Sequence, residues 1–351
     1  MRFNPLTGGA GFIAALTFMV GLSHQAAADA VSDFYKDKTV TVVVGYGAGG
    51  GADTFGRLLG RHIGKHLLGQ PSVIVQNMPG AGGFKAVNNV YNTDPQDGTR
   101  IVLTSSTHAT APLMGNKKAR WDFFKFQWLG NLTRDVAGCV ASGRSGIKSI
   151  VQGKNREIIY GASGKSAPSA QQPRSIASIL GYKAKVIAGY RGTASQRLAM
   201  EKGEIEATCA FWASLALGPQ KPDIESGKLV PIVQLSFKGH PAFGKAPLIY
   251  DLASNEEDRK VLYFIFGATE ISRPFAAPPG VPAARVAALR SAFWGAVTSP
   301  ELKADAARQK LILDPMTWQQ TEAAYRAFLD VSPKIIERAK QALGQKGGKK
   351  K

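Results

Sequence analysis

A chain of 351 residues, 44% of them hydrophobic, is too long for one ordinary core and sets an expectation of two globular domains. The formal net charge of +19 invites a nucleic-acid reading, but apart from the tail Lys346, Lys349, Lys350 and Lys351 the cations are scattered. Neither paired Cys and His ligands nor an aromatic RNA-binding box occurs, so nucleic acid is set aside in favour of a positive field that speeds encounter with small acidic solutes.

In chain order, Arg2 is followed by a mostly apolar stretch from Gly8 to Leu22 and then by small residues at Ala26, Ala27 and Ala28. This reads as an export signal over residues 1–28, with cleavage after Ala28 or, on the Ala28-Asp29-Ala30 pattern, after Ala30. A membrane anchor is the weaker alternative, because Gly8, Gly9, Gly11 and Gly21 dilute a run already short of the roughly 20 residues a span needs. No later run is long enough to cross a bilayer, so an exported, soluble protein is expected.

Thr39 to Val44 is a β-branched apolar run of the kind buried in a parallel sheet, and Gly45 to Gly51 ends it abruptly. Phe55, Leu58, Leu59, His62, Ile63, His66 and Leu67 then recur at helical spacing until Gly69-Gln70-Pro71. A strand from Ser72 to Val75, a glycine-rich loop Asn77 to Gly83, a short helix Phe84 to Tyr91 and a strand Arg100 to Thr104 follow, which makes a parallel α/β unit. The alternation restarts at Ile158-Ile159-Tyr160, which runs into Gly161-Ala162-Ser163-Gly164 and a helix from about Ser169 to Leu180. It continues through strand Lys185 to Ile187, helix Ser195 to Lys202, and strands Ile205 to Phe211 and Val230 to Leu235. From Ala283 onward the pattern is helical.

Gly45-Tyr46-Gly47-Ala48-Gly49-Gly50 matches the G-x-G-x-x-G fingerprint between strand and helix, the context of a dinucleotide site. That fingerprint also needs an acid at the end of the second strand, and Val75-Gln76-Asn77 offers none, which weighs against an oxidoreductase. Backbone N–H groups and the positive end of a helix dipole converge on any anion, and a carboxylate serves as well as a phosphate. Asp53 stands in the first helical turn, as a cap or as a ligand-side group. Gly161 to Ser166 has the same form and reads as an opposing clamp. Ser163 is not in a hydrolase elbow, since Lys165 takes the place of the second glycine, and His62 and His66 lack the acid of a zinc-protease helix. No catalytic constellation, cofactor or metal is expected. Cys139 and Cys209 are free to pair in an oxidising compartment if the fold brings them together, or are two small buried residues on strands.

These motifs, taken in order, resemble the substrate-binding proteins of tripartite tricarboxylate transporters, the Bug family of periplasmic receptors. The resemblance runs through Val44 to Asp53, Asn77 with Pro79 to Gly83, Asp97-Gly98-Thr99, Tyr160 to Gly164 and Gly189 to Gly192. It goes on through Gly203 to Ala207, Gly227-Lys228-Leu229, Pro278 to Pro282 and Ser299 to Leu302. It implies a type II periplasmic-binding-protein fold, two α/β lobes joined by crossover strands near residues 128–136 and 262–270 with a ligand cleft between them. On that reading residues 29–132 begin lobe 1, 133–265 form lobe 2, and 266–351 return to lobe 1 with the C-terminal helices and a basic tail. Ligand contacts are implied at Tyr46, Gly47, Ala48, Gly49, Gly50, Asp53 and Ser106 on one side, and at Ser163, Gly164, Ser166, Ala167 and Phe211 on the other. A monomer that captures a small carboxylate and delivers it to the membrane components of such a transporter is the implied activity; a ligand-sensing subunit of a signalling protein is the alternative. Gln76 and Met78 flank Asn77 where the family commonly has Glu and Arg, Ser166-Ala167-Pro168-Ser169 replaces a Ser-x-x-His stretch, and Phe211-Trp212 stands where an acid often follows the aromatic. A more apolar pocket follows, open to a dicarboxylate, a tricarboxylate or an aromatic acid.

Overall fold

The computed structural model describes residues 28–343, so the expected export signal, apart from Ala28, and the basic tail lie outside the described residues. The strand β1 (Thr39–Val44) is buried from Val40 to Val44, as its unbroken β-branched pattern requires of a central strand. It pairs in parallel with β2 (Ser72–Asn77) and β3 (Arg100–Leu103). The helix α1 (Gly51–His66) lies close on this sheet because its inward face carries glycines. A Cβ on Gly56 would stand 2.6 Å from the Val44 side chain, and one on Gly60 would stand 2.8 Å from Val75.

Three later strands complete this first sheet, β4 (Gln127–Asn131), β10 (Pro274–Ala277) and β11 (Met316–Thr317), in the order β11-β4-β10-β3-β1-β2. β10 runs antiparallel to β3 and β4. The second sheet has the order β7-β6-β8-β5-β9, formed by β5 (Ala137–Ser142), β6 (Ile158–Ala162), β7 (Ala184–Ala188), β8 (Ala207–Trp212) and β9 (Leu229–Gln234). β6 is parallel to β7 and β8, whereas β5, which arrives from the first lobe, is antiparallel to β8 and β9. Both sheets are therefore mixed, where strand–helix alternation alone suggests parallel ones. Register places Cys139 opposite Cys209, and the two form a disulfide between β5 and β8.

The chain crosses between the lobes at residues 132–136 and 267–273. The amide of Leu132 donates to Arg273 O at 3.0 Å, that of Asp135 to Glu270 O at 3.1 Å, and Arg134 bridges to Ile271. Residues 128–131, expected in the first crossover, are in β4, because Gln127–Asn131 has both β10 and β11 to pair with. Residues 262–266 end the helix Glu256–Phe266, and the second crossing starts after it. The helix Ala283–Thr298 covers α1 and β4, and Trp318–Leu329 covers β4. The last helix, Pro333–Ala342, leaves that lobe and packs on Glu256–Phe266 and on Pro168–Leu180 of the second lobe. The return after residue 266 is thus shared between the lobes, and buried apolar side chains run continuously from Trp128 and Phe123 to Ile176 and Ile335.

Candidate functional site

A narrow cavity of about 70 Å³ lies between the lobes. The first lobe contributes Tyr46, Gly50, Gly51, Ala52, Leu103, Thr104 and Ser105 to its wall. Ser163, Pro168, Ser169, Gly192, Thr193, Gln196, Cys209, Ala210 and Trp212 face them from the second, and Ser272 and Arg273 from a crossover. The wall lies at or just past the carboxyl ends of β1, β3, β6 and β7, where open α/β sheets place their ligands. The volume is well below the roughly 300–1,000 Å³ of pockets that bury drug-sized ligands. A dinucleotide does not fit in that volume.

Four helices begin at this wall: α1 at Gly51, Ser106–Leu113 after Ser105, Pro168–Leu180, and Thr193–Lys202 after Gly192. The N-cap positions of three of them are Gly50, Ala167 and Gly192, none of which carries a side-chain oxygen. The first-turn N–H groups of α1 and of Thr193–Lys202 are left for solvent or an anion, whereas Pro168–Leu180 leaves only that of Ser169, since Pro168 has no N–H and Ala170 N donates to Ala167 O at 2.9 Å; the dipoles add positive potential. Among the described residues no Asp or Glu is in the wall, and the one charged side chain there is Arg273.

Arg273 is buried between the lobes, with its guanidinium 4.8 Å from the Phe55 ring of α1 and 4.7 Å from the Trp212 ring of the second lobe. Its amide donates to Asn131 Oδ1 at 2.8 Å, and Nη1 donates to Ser272 O at 2.7 Å. Burial lowers its pKa to about 10, against the pull of Asp135 and Tyr46, so it is a cation at neutral pH. The oxygens of Asp135 are taken by the Val136 and Ser214 amides and the Ser214 hydroxyl. Desolvation raises the Asp135 carboxyl above its ordinary value, although Arg273 and those donors oppose the shift. The sequence signal for Arg273 was a lone cation leading into the apolar run Pro274-Phe275-Ala276-Ala277.

The rims of the cleft touch. Gly47 N donates to Arg191 O across it at 2.8 Å. On the other side Gly82 of the first lobe lies against Gly164 and Ala167 of the second, so near that neither glycine has space for a Cβ. Tyr46 Oη donates to Gly82 O at 3.2 Å, and burial, its largest influence, raises the phenol pKa and keeps it a donor. His108 has Nε2 at 3.1 Å from the same carbonyl, while its Nδ1 accepts from Ser105 N at 3.1 Å. Those two bonds fit the neutral Nε2–H tautomer, and burial lowers the His108 pKa to about 4.

Of the residues expected at the site, Tyr46, Gly50 and Ser163 line the cavity. Gly47 makes the rim hydrogen bond, Ala48 is exposed, and Gly49 donates to Asp53 Oδ2 at 2.9 Å. Asp53 has its oxygens occupied: Arg57 Nε reaches Oδ2 at 3.0 Å and Asn77 Nδ2 reaches Oδ1 at 2.8 Å, while the same Asn77 nitrogen holds Tyr46 O. Burial acts to raise the Asp53 carboxyl, but the bonds from Arg57, Gly49 and Asn77 outweigh it and hold the pKa below its ordinary value. Asp53 braces the glycine turn against the second loop. Ser106 is buried one residue behind Ser105; Gly164 and Ala167 form the rim, and Ser166 lies outside the wall. Phe211 is buried against Phe243 while its neighbour Trp212 lines the cavity, as alternation along a strand demands. Gly192, Thr193 and Ala210 line the cavity but are not among the ligand contacts expected from sequence. Ala210 has φ 58°, a left-handed conformation that costs an alanine roughly 1 kcal/mol or more, and its amide is held by Gln172 Oε1 at 2.7 Å.

Two mixed α/β lobes, two crossings and an interlobe cavity at helix N-termini define a periplasmic-binding-protein fold. Among known families, the tripartite tricarboxylate transporter family receptor matches residues 57–339, and the chain belongs to that family. A curated relative, the UPF0065 protein in the gbd 5' region of Cupriavidus necator, is 27% identical over 307 residues, 84% of this chain and 85% of its own. The periplasmic binding protein BugD superposes with a TM-score of 0.69 at 21% identity, covering 88% of this chain and 98% of BugD. MatC from Rhodopseudomonas palustris, solved with bound malate, gives 0.65 at 19% identity, covering 87% and 99%. Among the described residues no group of His, Cys, Asp and Glu is placed to hold a metal ion, and no helix is long and apolar enough to cross a membrane.

Proposed function

We propose that this chain is a periplasmic receptor that captures one small carboxylate between its lobes and delivers it to the membrane components of a tripartite tricarboxylate transporter. One observation carries the reading: among the described residues the cavity wall combines four helix N-termini and one buried cation with no carboxylate. Such a wall attracts an anion, and the small volume limits it to a small one. The malate seen in MatC, a relative of the same fold, supports a carboxylic acid as the ligand class.

Both lobes contribute to the wall, so a ligand binds the closed arrangement better than an open one and shifts the population toward it. The paired crossings at 132–136 and 267–273 are the hinge in this reading. The closed shape is what the transporter reads. A thermal-shift screen of purified protein against succinate, malate, adipate, citrate, glutamate and benzoate tests the ligand class, because a ligand of the native state raises its apparent stability. At least one acid is expected to raise Tm in a dose-dependent way, and no response to any of them overturns the proposal.

A further inference from the structure

Arg273 has more donors than the fold uses. Nη1 is engaged with Ser272 O, but among the described residues Nε and Nη2 have no hydrogen-bond partner, although both are buried. Nor does any carboxylate among the described residues come within ion-pair distance of this side chain, while Asp135, whose charge it feels, is spent on Ser214 and Val136. A buried donor left unmade, and above all a buried charge left unpaired, is costly, and native proteins rarely carry one without a use. The side chain nevertheless has the Phe55 and Trp212 rings within cation–π distance of its guanidinium.

The free pair is also the pair with the right shape. Nε–H and Nη2–H point in parallel from one edge of a guanidinium and match the two oxygens of a carboxylate. The protein uses that same edge elsewhere: Arg134 donates from Nε and Nη2 to the two oxygens of Asp314 at 2.8 and 2.9 Å. In Arg273 the edge stands beside the cradle, with Nη2 3.4 Å from where a Cβ on Gly51 would lie, and Gly51 begins α1. Guanidinium and helix N-terminus are therefore neighbours in the cavity wall.

We propose that the Nε–Nη2 edge of Arg273 is the direct two-point anchor of the ligand's carboxylate, so that the receptor selects planar carboxylates over amides and over tetrahedral oxyanions. This rests on the carboxylate-capture reading and adds the residue that does the selecting. A lysine at this position keeps the charge and loses the fork, whereas glutamine loses both.

Calorimetric titration of the full mature chain and of its Arg273→Lys and Arg273→Gln variants tests the assignment. The probes are the acids that shift Tm in the wild type, the primary amides of those acids, and inorganic phosphate and sulfate. Wild type is expected to bind the acid at least about 30-fold more tightly than its amide, R273K to weaken the acid by about 10-fold or more, and R273Q to weaken it at least about 30-fold while nearly closing the acid–amide gap. A folded R273Q that keeps the wild-type gap within threefold overturns the anchor while leaving carboxylate capture standing. Phosphate or sulfate binding as tightly as the acid also overturns it. If no acid binds the wild type, capture itself fails and the anchor falls with it. If neither variant folds, Arg273 is an interlobe structural cation and the proposal is wrong.

Discussion

Gly164→Ala separates closure from folding. Gly164 sits on the rim of the second lobe with φ outside the left-handed region, so an alanine there strains no backbone locally. In the closed arrangement, however, its Cβ would come 2.9 Å from the Ala81 carbonyl carbon of the opposite lobe, and nearer still to the Gly82 amide, where ordinary contact begins at 3.4 Å. Backbone faces backbone, so relief requires the lobes to part by about 1 Å. Overpacking of this kind costs about 1–3 kcal/mol, or roughly 5- to 150-fold in affinity, charged to the closed state alone. The assays are titration of an acid that binds wild type, thermal unfolding without ligand, and small-angle scattering with it. Affinity should fall within that range, the ligand-free Tm should stay within about 2 °C, and the liganded variant should remain less compact than liganded wild type. Wild-type affinity in G164A, or a ligand-free loss of stability that accounts for the whole effect, refutes the reasoning.

His108 sets a pH dependence. Its pKa is lowered from an ordinary value near 6.5 to about 4, so the unfolded chain takes up the proton first as pH falls. The stability it contributes is complete above about pH 6.5 and is lost between there and pH 4, by up to about 3 kcal/mol; urea unfolding at pH 7.5 and 5.0 should show the loss in wild type and a flatter profile in His108→Gln. The disulfide joins residues 70 apart in sequence, and replacing both cysteines by alanine should cost about 2–4 kcal/mol in denaturant unfolding; a loss below 1 kcal/mol contradicts this. Asp53→Asn should lower stability at pH 7 by about 1–2 kcal/mol. Because the wild-type carboxyl is depressed, that advantage is present above the unfolded value and disappears as pH falls through the folded one, so the two proteins should converge in acid.

The strands and turns that carry the first lobe were legible because they announce themselves locally. Thr39 to Val44 is a β-branched run closed by glycines, and the strand observed there has those bounds. The mixed character of the sheets was not legible, because the antiparallel partners β4, β5 and β10 are fixed by where the crossings bring the chain back and not by their own patterns. The same holds at the site. Tyr46, Gly50 and Ser163 lie in motifs that end a strand and begin a helix, so local reading finds them. Arg273 is brought to the cavity by a crossing after residue 266, and Thr193 by a helix whose lack of a capping side chain becomes meaningful only when it faces Gly50. Phe211 and Trp212 are adjacent, and choosing between them needed the pleat direction of β8. Asp53 carried two readings in sequence, and its bonds to Gly49, Arg57 and Asn77 favour the brace.

The central claim is that the cleft holds one small carboxylate and releases it unchanged. Calorimetric titration of the wild type with the acid giving the largest thermal shift, followed by chromatography of the recovered solution, tests it most directly. One acid per chain, bound reversibly and recovered intact, is the result expected. Conversion of the acid, or the absence of binding by any carboxylate, would contradict it.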